Sequence, residues 1–309
     1  MHELTVGTRK SKLALIQTEK VINMLRKAGV DVPIHIKEIE TDGDKKLDIP
    51  LPSLGGGVFL HDIEAMLMEG TIDFAVHSLK DAPPVLPDGL HMASIPERED
   101  VRDAYLANNH VPLMDLKPDA VIGTCSVRRA AQLWHMRPDI QTKPIRGPID
   151  SRMEQMQRGD YDAIILAVSG IKRLGRGLDL ITAYLSPDTF VPAIGQAALA
   201  IECRKDDYKL NQLLRRINDE ESETAVQTER AFLRFFPEPD TDPVAGYAVV
   251  QHGTITLTGL VTSVDGREQI RQTVTGTDPF DVARDMFQKL SASGAADIIE
   301  QAKRELGRV

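Results

Sequence analysis

Apolar residues recur along the chain with two alternating periods. Leu13, Leu15, Ile16, Val21, Ile22, Met24 and Leu25 fall at helical spacing within 11–28, behind Ser11, a residue suited to cap a helix N-terminus. A β-like run over 3–7 precedes that helix and an alternating strand over 32–39 follows it. Positions 59–69 return to helical spacing, and Phe74-Ala75-Val76 is a short apolar strand that stops at His77-Ser78-Leu79-Lys80-Asp81. A second set begins after Arg98-Glu99-Asp100, with strands over 120–123, 142–146 and 163–168 and helices over 126–134 and 151–158. The alternation predicts two α/β units in tandem with a cleft between them. From Glu221 the texture changes. A helix runs through Phe235, then β-like segments over 247–250, 254–261 and 269–275 with a turn at Asp265-Gly266, then a helix over 279–291. This pattern predicts a separate small α+β domain.

The chain of 309 residues, 42% of them hydrophobic, has material for two or three buried cores. Its N-terminus lacks a basic segment followed by an apolar run, and no stretch is long and apolar enough to span a bilayer, so a cytoplasmic protein without a membrane partner is expected. Cys125 and Cys203 lie far apart without Cys-x-x-Cys spacing, and both are expected as reduced thiols. A formal net charge of -9 argues against a nucleic-acid partner. Gly55-Gly56-Gly57 precedes a helix but lacks the Lys-Ser/Thr ending of a phosphate loop, so no nucleotide is expected. No His/Asp/Glu cluster has metal-ligand spacing and no serine sits in a nucleophile elbow, so no metal is expected either.

The remaining chemistry concentrates at strand ends, where open α/β sheets bind ligands. Lys80 and Asp81 stand side by side after an apolar strand, suited to hold an anion and a cationic centre; a solvated turn stopped by Pro83 and Pro84 is the alternative. His77 is expected as a packed structural histidine. Gly123-Thr124-Cys125-Ser126-Val127-Arg128-Arg129 joins a strand to a helix start, where free backbone N–H groups, two hydroxyls and two guanidiniums favour carboxylate or phosphate. The alternative is capping with exposed helix arginines. Arg9, Arg146, Arg152 and Arg173 fall near other strand ends, which converge on one mouth if the strands are parallel. Arginines lining a cleft in an acidic protein imply a ligand with several carboxylates or phosphates.

Thr8-Arg9-Lys10-Ser11-Lys12-Leu13-Ala14-Leu15, His77-Ser78-Leu79-Lys80-Asp81, Gly123 to Arg129, Tyr161-Asp162-Ala163-Ile164-Ile165-Leu166-Ala167 and Pro192-Ala193-Ile194-Gly195-Gln196 resemble, in order and spacing, the porphobilinogen deaminase (hydroxymethylbilane synthase) family. The resemblance runs essentially end to end. It implies an α/β protein of two type II periplasmic-binding-protein-like domains around a cleft plus a small α+β C-terminal domain, divided as 1–98 with 198–217, 99–197, and 218–309. It implies a transferase that condenses porphobilinogen head to tail with loss of ammonia, and a monomer. Carried over by motif, Asp81 is the catalytic carboxylate. Arg9, Ser11, Gln17, Ser78, Lys80, Thr124, Ser126, Arg128, Arg129, Arg146, Gly147, Arg152, Arg173 and Gln196 are expected to bind substrate or cofactor.

The departures bear on mechanism. The family holds a dipyrromethane through a cysteine in a Gly-Gly-Cys-x-x-Pro loop, and counting from Thr228-Glu229-Arg230-Ala231 places Asp240 at that cysteine, with Glu238 and Pro239 in place of the glycines. Pro243-Val244-Ala245-Gly246-Tyr247 continues the pattern. A carboxylate cannot form a thioether. Cys203 stands where the family has a structural cysteine; Cys125 replaces a serine of the arginine loop and is the alternative anchor. Asp42 replaces a basic residue, Ser53 a lysine, the Gly55-Gly56-Gly57 run has lost its lysine, and Pro148 and Asp150 alter a further segment. The preferred expectation is a condensing enzyme without the usual cysteine-anchored oligopyrrole, releasing a short product such as a dipyrrole. A conventional hydroxymethylbilane synthase holding its cofactor otherwise, and a non-catalytic pyrrole or polycarboxylate binder, stand as alternatives.

Overall fold

The computed structural model describes residues 3–41, 43, 60–236 and 243–306; Asp42, Ser53, the Gly55-Gly56-Gly57 run, Glu238, Pro239 and Asp240 lie outside the described residues. The chain divides into two compact units, Met1–Glu99 with Gly195–Thr224, and Asp100–Ile194 with Ala225–Val309.

In the first unit, β1 (Leu4–Arg9), β2 (Ile34–Ile39), β3 (Phe74–Ser78), β4 (Leu90–Ser94) and β10 (Leu199–Arg204) form one sheet in the order β2-β1-β3-β10-β4. β1 runs parallel to β2 and β3, whereas β10 is antiparallel to both of its neighbours. Strand alternation sorts the side chains onto two faces. Phe74, Val76, Leu199, Ile201 and Cys203 pack with Val21, Ile22 and Leu25 of α1 (Lys12–Lys27) and with Leu210 and Leu214 of α6 (Tyr208–Leu214). Ala75 packs on the other face with Ile63 and Leu67 of α2 (His61–Met68) and with Ile39, Ile72 and Leu90. Each fully buried aliphatic side chain contributes about 1.5–3 kcal/mol, so α1 and α2 are fixed to the sheet mainly by these stripes.

The second unit repeats the arrangement. β5 (Asp103–Ala107), β6 (Val121–Gly123), β7 (Gln141–Lys143), β8 (Ala163–Ala167) and β9 (Ile181–Leu185) order as β7-β6-β8-β5-β9, with β6 parallel to β7 and β8 and β5 antiparallel to β8 and β9. α3 (Val127–Met136), α4 (Ile149–Gln157) and α5 (Val168–Leu174) cover it. The shared order, three parallel strands followed by one antiparallel, gives both α/β parts a type II periplasmic-binding-protein-like architecture. The parallel expectation therefore holds for four strands of each sheet, and the reversed one is donated by a separate pass of the chain: β10 returns after the second sheet is finished and β5 precedes the other strands of its sheet.

The C-terminal part of the second unit is a three-stranded antiparallel sheet of β11 (Val244–Gln251), β12 (Thr254–Thr262) and β13 (Gln269–Gly276), with α8 (Pro279–Ala292) and α9 (Ala295–Glu305). Its core joins Ile255, Leu257, Val261, Met286, Leu290, Ile298 and Ile299 to Phe232 and Phe236, at and beyond the end of α7 (Glu220–Leu233). Asp278 accepts hydrogen bonds from the Phe280 and Asp281 amides ahead of a first-turn proline, which sets where α8 begins. No helix among the described residues is long and apolar enough to cross a membrane.

Candidate functional site

In the first unit the chemistry collects where the parallel strands end. β1 closes on Arg9, and Ser11 caps α1 by accepting from the Ala14 amide at 3.2 Å. β3, beside β1 and parallel to it, gives way to a single 3-10 turn, Leu79–Asp81. Arg9, Ser11, Lys80 and Asp81 therefore leave the same edge of one sheet. The turn is tied in place by the Leu79 amide donating to Ala198 O at 3.0 Å and the Ala82 amide to Leu79 O at 3.0 Å. Lys80 is exposed and Asp81 half-buried. Gln17 and Ser78, both expected to bind ligand, are turned on each other, with the Gln17 amide donating to Ser78 Oγ at 3.0 Å. They fix the strand end to α1. Gln196 is fully buried, its side-chain oxygen accepting from Lys80 Nζ at 3.5 Å and its carbonyl from Arg98 Nε at 2.9 Å.

Beside Gln196 the backbone is strained. Gly195 has φ +71, and a Cβ there would stand 3.2 Å from the Lys80 amide nitrogen and 3.3 Å from the Leu79 carbonyl carbon. Ala197, a residue with a Cβ, adopts φ 72, a conformation that persists only where its surroundings enforce it. Gly195→Ala is expected to lose about 1–3 kcal/mol of stability and to displace the Lys80–Asp81 turn. Thermal unfolding and turnover measured on the same variant check this, and wild-type values for both would refute the close approach.

In the second unit β6 ends at Gly123, whose Cβ would lie 3.0 Å from Ile164 Cγ2 and from Tyr161 Cδ1, so the side chains of β8 and its approach pack closely over this position. Asp162 accepts from the Val121 amide at 2.8 Å and locks the start of the same strand. Beyond it, Thr124 Oγ1 accepts from the Ser126 amide at 3.1 Å and Ser126 Oγ from the Arg129 amide at 3.3 Å, capping α3. Arg128 and Arg129 are not exposed helix arginines. Both are buried on Asp103, with Arg128 Nη2 2.9 Å and Arg129 Nη2 2.6 Å from its carboxylate. Their other donors reach Val191 O at 2.8 Å and Ile165 O at 3.0 Å. They tie the start of α3 to Asp103 at the head of β5 and to the carbonyls of Val191 and Ile165.

Arg146, Arg152 and Arg173 are half-buried. Arg152 Nε donates to the carbonyl of Gly147, itself at φ +103, at 2.7 Å, folding the β7–α4 turn over its own backbone. Pro148 leads α4, and Asp150 in its first turn lies 3.7 Å from Arg176. Cys125 is exposed and donates its thiol to Ile145 O at 3.2 Å; Cys203 is buried, and that burial pushes its thiol up to about 12. Among the described residues no group of three or more His, Cys, Asp or Glu is placed to hold a metal ion.

The pattern did not point to Asp103, Glu202 or Glu64 as members of the site's framework. Asp103 and Glu202 are each the one carboxylate of a short apolar run, Asp103-Ala104-Tyr105-Leu106-Ala107 and Leu199-Ala200-Ile201-Glu202-Cys203, and that interruption was the available signal; Glu64, two residues from Asp62, carried none.

Two family models match the chain, one described as "Porphobilinogen deaminase, dipyromethane cofactor binding domain" over residues 4–212 and one as "Porphobilinogen deaminase, C-terminal domain" over 224–293. Among curated proteins the chain is similar to porphobilinogen deaminase of Geobacillus kaustophilus, 49% identical across 99% of this chain and 100% of the relative. It is 47% identical to that of Oceanobacillus iheyensis over 99% of both chains, and 46% identical to that of Bacillus subtilis over 99% of this chain and 98% of the relative.

Proposed function

The chain belongs to the porphobilinogen deaminase family, and from that premise we propose that it condenses porphobilinogen head to tail with loss of ammonia, as a transferase of tetrapyrrole biosynthesis, without the family's thioether anchor. The observation that carries this reading is the delivery of Arg9, Lys80 and Asp81 to one sheet edge, in a chain whose position 240 is aspartate.

Arg9, Ser11 and Lys80 of the first unit offer donors for acetate and propionate groups, and so, taken by itself, does the set Thr124, Ser126, Arg146, Arg152 and Arg173 of the second. Arg128 and Arg129 contribute by holding the Thr124–Ser126 loop, and Gln17, Ser78, Gly147 and Gln196 by shaping the turns. Asp81 acts on the reacting carbon. As the aminomethyl C–N bond breaks and ammonia departs, positive charge spreads over the pyrrole, and a fixed carboxylate beside the ring N–H stabilises it. The free α-carbon of a second pyrrole then forms the C–C bond and loses its proton.

A dipyrromethane would prime chain growth in this family, and the guanidiniums suit its carboxylates. The attachment point does not fit. Asp240 cannot form a thioether, Cys203 is buried and its thiol raised to about 12, and Cys125, the remaining thiol, stands in the loop after β6 and donates to Ile145 O. No step is therefore routed through a thioether-bound group, and an untethered product leaves after few condensations, with a dipyrrole as the shortest.

Incubating the purified chain with porphobilinogen, while following ammonia and identifying products by mass, tests the reading. A free dipyrrole with one ammonia per molecule supports it. A linear tetrapyrrole, together with protein carrying the mass of a pyrrole pair, would establish conventional synthesis with another anchor. Absence of ammonia would leave only a binding protein.

A further inference from the structure

Where the first sheet packs on α2, two titratable side chains of the sheet and one of the helix are left unused by the mechanism above. In the β3–β10 register His77 opposite Ala200 and Glu202 opposite Ala75 project to the same side. His77 Nε2 lies 2.9 Å from Glu202 Oε2, the two side chains being 3% and 0% exposed. Glu64, from α2, is equally enclosed, and one carboxyl oxygen each of Glu64 and Glu202 is buried without a hydrogen-bond partner. Such a cluster is expensive: buried carboxylates lose their hydration, and apolar residues of the same volume commonly serve stability better.

Its geometry supplies what an apolar face lacks. Neighbouring residues of β3 are clamped from opposite faces, Ser78 by Gln17 of α1 and His77 by Glu202 of β10. The 3-10 turn with Lys80 and Asp81 starts at the next residue. Directional bonds on both faces fix the twist and position of a strand end more closely than non-directional packing does. We propose that the Glu202–His77 pair, completed by Glu64, is a positioning device that fixes the Leu79–Asp81 turn for the reaction. This rests on reading Asp81 as the catalytic carboxylate.

The surroundings of Glu64 give the cluster a signature. Burial, reinforced by the charge of Glu202 and opposed by His77, pushes Glu64 up to about 7. Among the described residues, the titratable groups that face it are Glu202 from β10 and His77 from β3. The folded protein binds the Glu64 proton more tightly than the unfolded chain does. The stability linked to the Glu64 proton is thus fully present below about 4.5 and is lost as pH rises from there through about 7.

The test compares Glu202→Leu, Glu202→Gln and Glu64→Gln in the full chain by hydrogen exchange and by steady-state kinetics on porphobilinogen. Glu202→Leu is expected to speed exchange of the Leu79 and Ala82 amides about tenfold relative to the Val21 and Leu25 amides of α1. It is expected to lower kcat about tenfold with KM within about twofold. Glu202→Gln, which keeps a hydrogen-bonding partner for the His77 ring, restores most of both, and Glu64→Gln flattens the pH dependence of activity and stability around 7. Uniformly faster exchange across the unit, unchanged kcat, or failure of Glu202→Gln to rescue would overturn the proposal. Should Glu202→Leu not fold, His77→Gln with the same two readouts decides it. If the unaltered chain releases no ammonia, the functional reading falls on its own account, and the exchange pattern still decides whether the pair positions the turn.

Discussion

Replacing Asp81 with asparagine is expected to slow ammonia release from porphobilinogen by about 10²–10³-fold, the effect typical of losing one preorganised electrostatic contact to a transition state. The two side chains have nearly the same volume, and Asp81 is only half-buried at the end of a turn secured by backbone bonds through Leu79 and Ala82. Stability should hardly change. What asparagine cannot do is oppose the positive charge that grows on the pyrrole as the C–N bond lengthens. The loss should therefore fall on kcat and kcat/KM together, with binding of unreacted porphobilinogen retained. Asp81→Glu keeps the charge but moves it by one methylene, and an intermediate rate is expected. A wild-type rate in Asp81→Asn would remove this residue from the chemistry, and stability measured by thermal unfolding separates that result from misfolding.

The second large effect concerns a residue that touches no ligand. Asp103→Ala is expected to destabilise the protein by about 3–5 kcal/mol, because it removes one partner of a buried charge network and leaves the rest in place. Asp103 is fully buried and faces both Arg128 and Arg129. Burial already draws the Arg128 guanidinium down from its ordinary value, with Asp103 opposing that pull and the neighbouring Arg129 adding to it. Without the carboxylate, two like charges remain side by side, with only the carbonyls of Val191 and Ile165 to accept from them. The urea midpoint should fall steeply, and the start of α3 should loosen with it. A loss below about 1 kcal/mol would mean that the two guanidiniums reach water once the carboxylate is gone.

How far the molecule was legible beforehand follows from what each signal encodes. Long amphipathic stretches such as α1 and fully apolar runs such as β8 declare themselves, since their period or continuity is set by the core they face. β10 and β5 did not, because each sets a buried carboxylate within a short apolar run, and an acid there reads as a loop until its partner is known. α9 was missed because it follows α8 after a turn of two residues ending at Gly294, φ +97. At the site, residue type placed the Gly123–Arg129 segment between a strand end and a helix start, where the structure has it. It could not announce that Asp103, at the head of an antiparallel strand, would take up donors of both arginines, or that Gln17 and Ser78 would satisfy one another. Those facts depend on pairing across 26 and 61 residues of chain, which local periodicity does not carry.

The placement of β10 also has a consequence for how the protein is made. The first sheet needs Leu199–Arg204 between β3 and β4, whereas every strand of the second sheet lies within residues 103–185. A chain emerging from the ribosome therefore holds a complete second sheet before it holds a complete first one. Until its last strand is synthesised, the N-terminal sheet has β3 and β4 facing an empty place, with unpaired backbone along both. During synthesis the segment that bears Lys80 and Asp81 is thus among the last parts of the first unit to be fixed, although it is among the first to be translated.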